Sequence, residues 1–146
     1  MMYEFRPMTE EYGDVVVSWK TPFRYACFDV DNHETTLDDL ISSDVFDSFI
    51  ALTPDDELVG FAECTFIDED DLRVGIALMP DYQGKGIGFD FVESAIEFLQ
   101  DYYEYVEGTI TTLLMPEDKH AIEIFERVGF TVTSEDDDYV ELELVL

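Results

Sequence analysis

Basic residues are scarce in this chain. Its 146 residues hold 7 Lys and Arg against 36 Asp and Glu, a formal net charge of −29. Non-specific nucleic-acid binding rests on Lys and Arg neutralising phosphates, so this balance argues strongly against it. Cysteine is scarce too: Cys27 and Cys64 stand alone, with no CxxC spacing. That argues against a disulfide framework or a zinc site, and no metal is expected. No apolar run approaches the ~20 residues of a membrane-spanning helix. The opening MMYEFRP has no basic-then-apolar leader. The expectation is a soluble, cytoplasmic protein without membrane or nucleic-acid partners. No internal repeat or flexible linker appears, and the length suits one domain, 1–146.

Apolar and acidic residues are abundant. Apolar residues make up 47% of the chain, with one Trp, eight Tyr and twelve Phe, enough for a sizeable core. The acids are spread along the whole chain. Three explanations compete: a high-salt cytoplasm that screens their repulsion, a cationic substrate or partner, and, least favoured, DNA mimicry.

The chain is organised around residues 72–99, LRVGIALMPDYQGKGIGFDFVESAIEFL. An apolar strand ends at Met79-Pro80. A glycine loop follows, Gln83-Gly84-Lys85-Gly86-Ile87-Gly88. The helix after it carries Phe89, Val92, Ile96 and Leu99 at helical spacing. A glycine loop feeding a helix N-terminus presents convergent amide N–H groups and partial positive charge, a ready site for phosphate. No Ser or Thr follows Lys85, so this is not a P-loop, and the glycine spacing is not that of a dinucleotide fold. The bland alternative is a strand–helix turn that needs glycine for positive φ.

Around this stretch the pattern predicts strands over 3–6, 45–52, 58–67, 72–79, 109–115, 130–133 and 139–146. Thr9 should cap a helix running to about Lys20, and a short helix is expected over 37–41. A helix of about ten residues should start at Pro116-Glu117-Asp118 and stop at Gly129, burying Ala121, Ile122, Phe125 and Val128. Strands 45–52, 58–67 and 72–79 read as an antiparallel meander.

The pattern Gln-x-x-Gly-x-Gly at Gln83, Gly86 and Gly88, after a strand ending in Met-Pro, resembles the acetyl-CoA pyrophosphate loop of the GNAT superfamily of N-acetyltransferases. The later stretch DKHAIEIFERVGF, 118–130, is similar to that family's Asn-x-x-Ala-Ile-x-x-Tyr-Glu-Lys-x-Gly-Phe segment. The two motifs come in the family's order, and the match is good over about residues 58–133. The start, YEFRPMTEEY, also resembles a bacterial subgroup of such proteins. The resemblance implies an α+β (α/β) fold. Its central mixed, mostly antiparallel sheet would have six to seven strands, flanked by about four helices and splayed between strands 72–79 and 109–115.

The implied activity is direct transfer of acetyl from acetyl-CoA to a primary amine on a small molecule, amino acid or protein, by a monomer or homodimer. The implied cofactor contacts are Leu78, Met79, Gln83, Gly84, Lys85, Gly86, Ile87, Gly88, Asp118 and Phe125. A backbone N–H at Leu78 or Met79 would polarise the acetyl carbonyl. Pro80 cannot continue a ladder, which fits a strand leaving its neighbour there. The segment 21–36 would line the acceptor pocket, with Tyr25, Asp29 and His33 as candidate contacts.

Two departures stand out. Asp118 replaces the usual Asn; it can cap a helix but, ionised, cannot donate a hydrogen bond. Phe125 replaces a Tyr proposed as general acid, and it has no proton to give. For the base, Glu63 lies amid apolar LVGFAECTFI. Burial would make it a better proton acceptor; the bland alternative, slightly favoured by the strand pattern, is a solvent-facing alternation position. His33 has a suitable ordinary pKa. His120 reads as a surface residue, and both cysteines read as core. Two other functions stay open: a catalytically silent acyl-CoA-binding module, and an acidic interaction protein in which the loop is a turn.

Overall fold

The computed structural model describes residues 3–12, 47–82 and 84–146. The expected helix over 37–41, most of the helix after Thr9, the residues Cys27, Tyr25, Asp29 and His33, and Gln83 lie outside them.

Seven strands form one sheet: β1 (Glu4–Pro7), β2 (Asp47–Leu52), β3 (Leu58–Asp68), β4 (Asp71–Leu78), β5 (Thr109–Leu114), β6 (Thr131–Glu135) and β7 (Val140–Val145). Their order is β1-β2-β3-β4-β5-β7-β6. Every neighbouring pair is antiparallel except β4 with β5. This is the mixed, mostly antiparallel α+β sheet expected, with seven strands. Two α-helices follow the central strands among the described residues: α1 (Gly88–Tyr103) and α2 (Lys119–Val128). A 3-10 turn, Pro80–Tyr82, joins β4 to the glycine loop. Residues 10–12 are helical, and Thr9 Oγ1 accepts from the Tyr12 N–H at 3.4 Å, as a helix cap does. Among the described residues no helix is long and apolar enough to cross a membrane.

Strand alternation divides the sheet residues between its two faces. Leu72, Val74, Ile76 and Leu78 of β4 join the cluster formed with α1 and α2. Ile110 and Leu114 of β5 do the same, as do Val140 and Leu142 of β7. Helix α1 buries Phe91, Val92, Ala95, Ile96 and Leu99. The expected stripe began at Phe89, but Phe91 is the buried aromatic and Phe89 is only half-buried. Phe91 packs edge-on to Tyr3 and stacks on Phe5, which ties β1 to the helix. At the far end of α1, the Cys64 thiol donates to Tyr103 Oη at 3.5 Å, and the Tyr103 hydroxyl donates to Asp47. Burial first, then the neighbouring charges of Asp47 and Glu63, push the Cys64 thiol up to about 12 despite the Tyr103 hydrogen bond. Cys64 is therefore a core residue, with its thiol held in the protonated form.

Candidate functional site

The site begins where the sheet forks. β4 and β5 pair only through Asp71–Thr109, Leu72–Ile110 and Arg73–Thr111. Beyond that point β5 stays with β7 as far as Leu114, while β4 stays with β3 as far as Leu78. Side chains close the crotch of the fork. The buried Thr112 hydroxyl donates to the Val74 carbonyl at 2.8 Å. Arg73 Nε donates to Thr111 Oγ1 at 2.9 Å, and its Nη2 meets Glu141 Oε2 at 3.0 Å. Arg73 is mostly buried, so this clasp across β4, β5 and β7 is screened by salt less than a surface pair.

Backbone polar groups alternate sides along a strand. The Met79 N–H donates to the Val59 carbonyl on β3 at 2.6 Å. That corrects one expectation: the Met79 amide is committed to β3 and is not the oxyanion donor. By the same alternation, the backbone polar groups of Ile76 and Leu78 face the side from which β5 has departed.

A narrow apolar cavity of about 30 Å³ lies along this opening, lined by Ile76, Leu78, Gly88, Phe91, Val92, Ala121, Ile124 and Phe125. That is room for about one or two waters. Its tightness comes from α2 leaning on the start of α1. A Cβ added at Gly88 would stand 2.6 Å from Ile124 Cδ1. Phe125 is buried and edge-on to Phe130, so it is a core residue as well as a wall of the cavity.

The glycine loop meets the same opening. Gly84 and Gly86 have φ of 74° and 77°, and an added Cβ at either would meet nothing within 4 Å. Glycine is needed there for conformation, not for space inside the protein. The N-cap of α1 is Ile87, which offers no side-chain cap. The helix's first hydrogen bond runs from the Phe91 N–H to the Ile87 carbonyl, so the amides of Gly88 and Phe89 precede it. Helix α2 contrasts: Asp118 caps it, accepting from the Ala121 N–H at 3.2 Å. Asp118 thus does the structural work expected of it, while α1 is left open where an anion would bind.

Glu63 is fully buried on β3, opposite Gly75 on β4 and Ser48 on β2. The buried one of its two expected placements is the one found. Alternation puts it on the face away from α1, since its neighbours Ala62 and Cys64 belong to the α1 cluster. An open hollow of about 360 Å³ lies on that face, lined by Leu113, Ser134, Asp136, Asp138, Tyr139 and Glu141. His120 is exposed, as expected. No group of His, Cys, Asp and Glu among the described residues is arranged to hold a metal ion. Sequence reasoning did not place Thr112, Ile124 or Arg73 at the site. Thr112 and Arg73 act through partners 38 and 68 residues distant, and no local pattern signals such pairings.

Solved structures share this fold. A spermidine N-acetyltransferase from Vibrio cholerae, in complex with CoA and spermine, superposes with a TM-score of 0.75 at 14% identity, covering 98% of this chain and 95% of that one. A domain from Methanocaldococcus jannaschii superposes with a TM-score of 0.75 at 18% identity, covering 99% of each. At such identities these likenesses establish the fold alone. No protein of curated function matches the chain by sequence. The acetyltransferase (GNAT) family matches residues 14–130. That span takes in the glycine loop, the fork and α2, and the chain belongs to the GNAT acetyltransferase family.

Proposed function

We propose that this chain is an N-acetyltransferase that moves acetyl from acetyl-CoA directly to a primary amine on a cationic acceptor. The observation that carries the reading is the fork: β4 leaves β5 after Arg73 and Thr111, beside a glycine-fed helix with no side-chain cap. The pyrophosphate would rest on the amides of the loop and of the first turn of α1. The pantetheine arm would lie between β4 and β5 against Ile76, Ala121 and Phe125, with α1 and α2 moving apart to widen the slot. The Leu78 N–H would donate to the thioester oxygen as negative charge develops on it.

The amine nitrogen attacks the carbonyl carbon, the C–S bond breaks, and CoA leaves as a thiolate. The proton lost by the amine passes to a base. Glu63, reached through water, is the candidate. Phe125 cannot protonate the thiolate, so none of that role falls to it.

Two features support a cationic acceptor. A charge of −29 concentrates cations at the surface, and Asp136, Asp138 and Glu141 line the hollow on the face that holds Glu63. The structural neighbour bound to CoA and spermine puts polyamines first among acceptors to try.

The test is release of free thiol from acetyl-CoA across a panel of polyamines, amino acids and peptide amines. Thiol release that depends on an amine supports the reading. CoA binding without thiol release across the whole panel turns it to a second one, a silent acyl-CoA-binding module, which Phe125 favours. Glu63→Gln should lower kcat and abolish the acid limb of the pH–rate profile; an unchanged profile removes Glu63 as base.

A further inference from the structure

Cations are few in this chain, and their pairing is uneven. Five Lys and Arg fall among the described residues: Arg6, Arg73, Lys85, Lys119 and Arg127. Arg6 pairs with Glu4 and Asp56, and Arg73 pairs with Glu141. The other three lie on the glycine loop and on α2, and among the described residues none has a carboxylate within 4.0 Å. In a chain with 36 acids, three exposed cations with no carboxylate of the described residues within 4.0 Å stand out.

Arg127 is the best placed of the three. It is exposed, in the last turn of α2, and its guanidinium lies 4.8 Å from the centre of the Phe89 ring. Phe89 is the second residue of α1, directly after Gly88. The cation–π contact and the C-terminal dipole of α2 both favour the charge in this position. A guanidinium over a ring keeps its N–H edge available for a second partner. It therefore stands beside the helix start where the pyrophosphate is proposed to rest, with no carboxylate of the described residues within 4.0 Å of it.

From this geometry we infer that Arg127 binds the 3′-phosphate of CoA. The inference rests on the acetyl-CoA reading above and goes beyond it to a second phosphate subsite. The loop and helix amides serve the pyrophosphate. The 3′-phosphomonoester is a separate group carrying about −1.5 to −2 charge at neutral pH. Brought up to a protein of net charge −29, it needs a local cation, and Arg offers a planar fork that meets two phosphate oxygens at once.

The experiment compares equilibrium binding of CoA and 3′-dephospho-CoA to the full chain, by calorimetry. The variants are Arg127→Gln, Arg127→Lys and Arg6→Gln. Wild type should prefer CoA by about tenfold, a modest charge-assisted contact at an exposed site. Arg127→Gln should bring the two ligands to parity, chiefly by weakening CoA. Arg127→Lys should keep part of the preference, because it keeps the charge without the fork. Arg6→Gln removes the same unit of charge at β1 and should leave the ratio unchanged.

Equal affinity of wild type for the two ligands overturns the inference while leaving the acetyl-CoA reading intact. So does a preference that survives in Arg127→Gln, or one that Arg6→Gln abolishes equally. Binding of neither ligand overturns both readings. Because each variant is compared by the ratio of its two affinities, partial unfolding of any of them leaves that ratio unchanged.

Discussion

The Thr112 hydroxyl donates to the Val74 carbonyl at 2.8 Å, one residue past the last paired residues of β4 and β5. A side chain thus takes the place of a ladder bond at the point where the strands part. Val74 and Thr112 are both fully buried. Without the hydroxyl, the carbonyl is left without its partner or the strands shift to supply another. Thr112→Val keeps the shape and removes the donor. It should cost about 1–3 kcal/mol in denaturant unfolding, and the shifted fork should raise the KM for acetyl-CoA. Thr112→Ser should recover most of both. An unchanged midpoint in Thr112→Val would mean the bond contributes nothing.

The loop glycines separate two effects. Gly86 has φ of 77° with open space around its missing side chain. Gly86→Ala should therefore cost about 1 kcal/mol of stability, from backbone conformation alone. Gly86→Asp adds a negative charge where the pyrophosphate is proposed to sit, and it should abolish CoA binding. Thermal unfolding with CoA reads both: ligand at about 100 times its dissociation constant stabilises the native state by about 2.7 kcal/mol. If Gly86→Asp keeps that stabilisation, the loop is not the phosphate site.

The contact between Gly88 and Ile124 tests the slot. In Gly88→Ala the new methyl would press on Ile124 Cδ1 at 2.6 Å, the mobile tip of a half-buried side chain. The tip can swing aside, so stability should fall by less than about 1 kcal/mol. The same methyl narrows a slot that must widen for pantetheine, and KM for acetyl-CoA should rise by about tenfold. Adding Ile124→Val removes the opposing methyl and should restore KM. Failure of the double variant to recover would separate the slot from this contact.

Alkaline pH should destabilise the protein through buried hydroxyl and thiol groups. The Cys64 thiol is held up from 9.0 to about 12, mainly by burial. The Tyr3 hydroxyl rises from 10.0 to about 12 by burial and then by the neighbouring Asp90 charge. Over these ranges the unfolded chain loses protons that the folded chain keeps, so raising pH favours unfolding. The contribution is complete below pH 9 and declines as pH climbs toward 12. Denaturation midpoints between pH 7.5 and 11 should fall from about pH 9 upward. Peptide mapping after alkylation at pH 8 should find Cys64 unmodified in the folded protein. A flat pH dependence, or ready alkylation of Cys64, would contradict its burial.

Much of this protein was legible in local pattern. Alternation and turn residues mark the strands to within one or two positions, and period-3.6 spacing marks both helices. Asp118 caps α2, Gly129 ends it with φ of 127°, and the loop glycines take the positive φ that glycine invites. These features depend on backbone sterics and on hydrogen bonds a few residues apart, so neighbouring residues suffice to determine them. Even the −29 charge, which argues against non-specific nucleic-acid binding, needs no fold.

Tertiary structure decided the rest. Glu63 was open to either face until sheet pairing buried it against Ser48 and Gly75. Leu78 and Met79 were equal candidates as donor until the register with β3 committed the Met79 amide to Val59. Phe91 rather than Phe89 became the buried aromatic, because the helix's rotation is set by the sheet beneath it. The Arg73 clasp, the Thr112 hydrogen bond and the placement of Arg127 over Phe89 join residues 38 to 68 positions apart. Contacts at such separation form only when the sheet and helices have assembled, and no stretch of sequence contains both partners. The sequence by itself determined the glycine loop and the helix it feeds; the packing of strands and helices decided which groups face them.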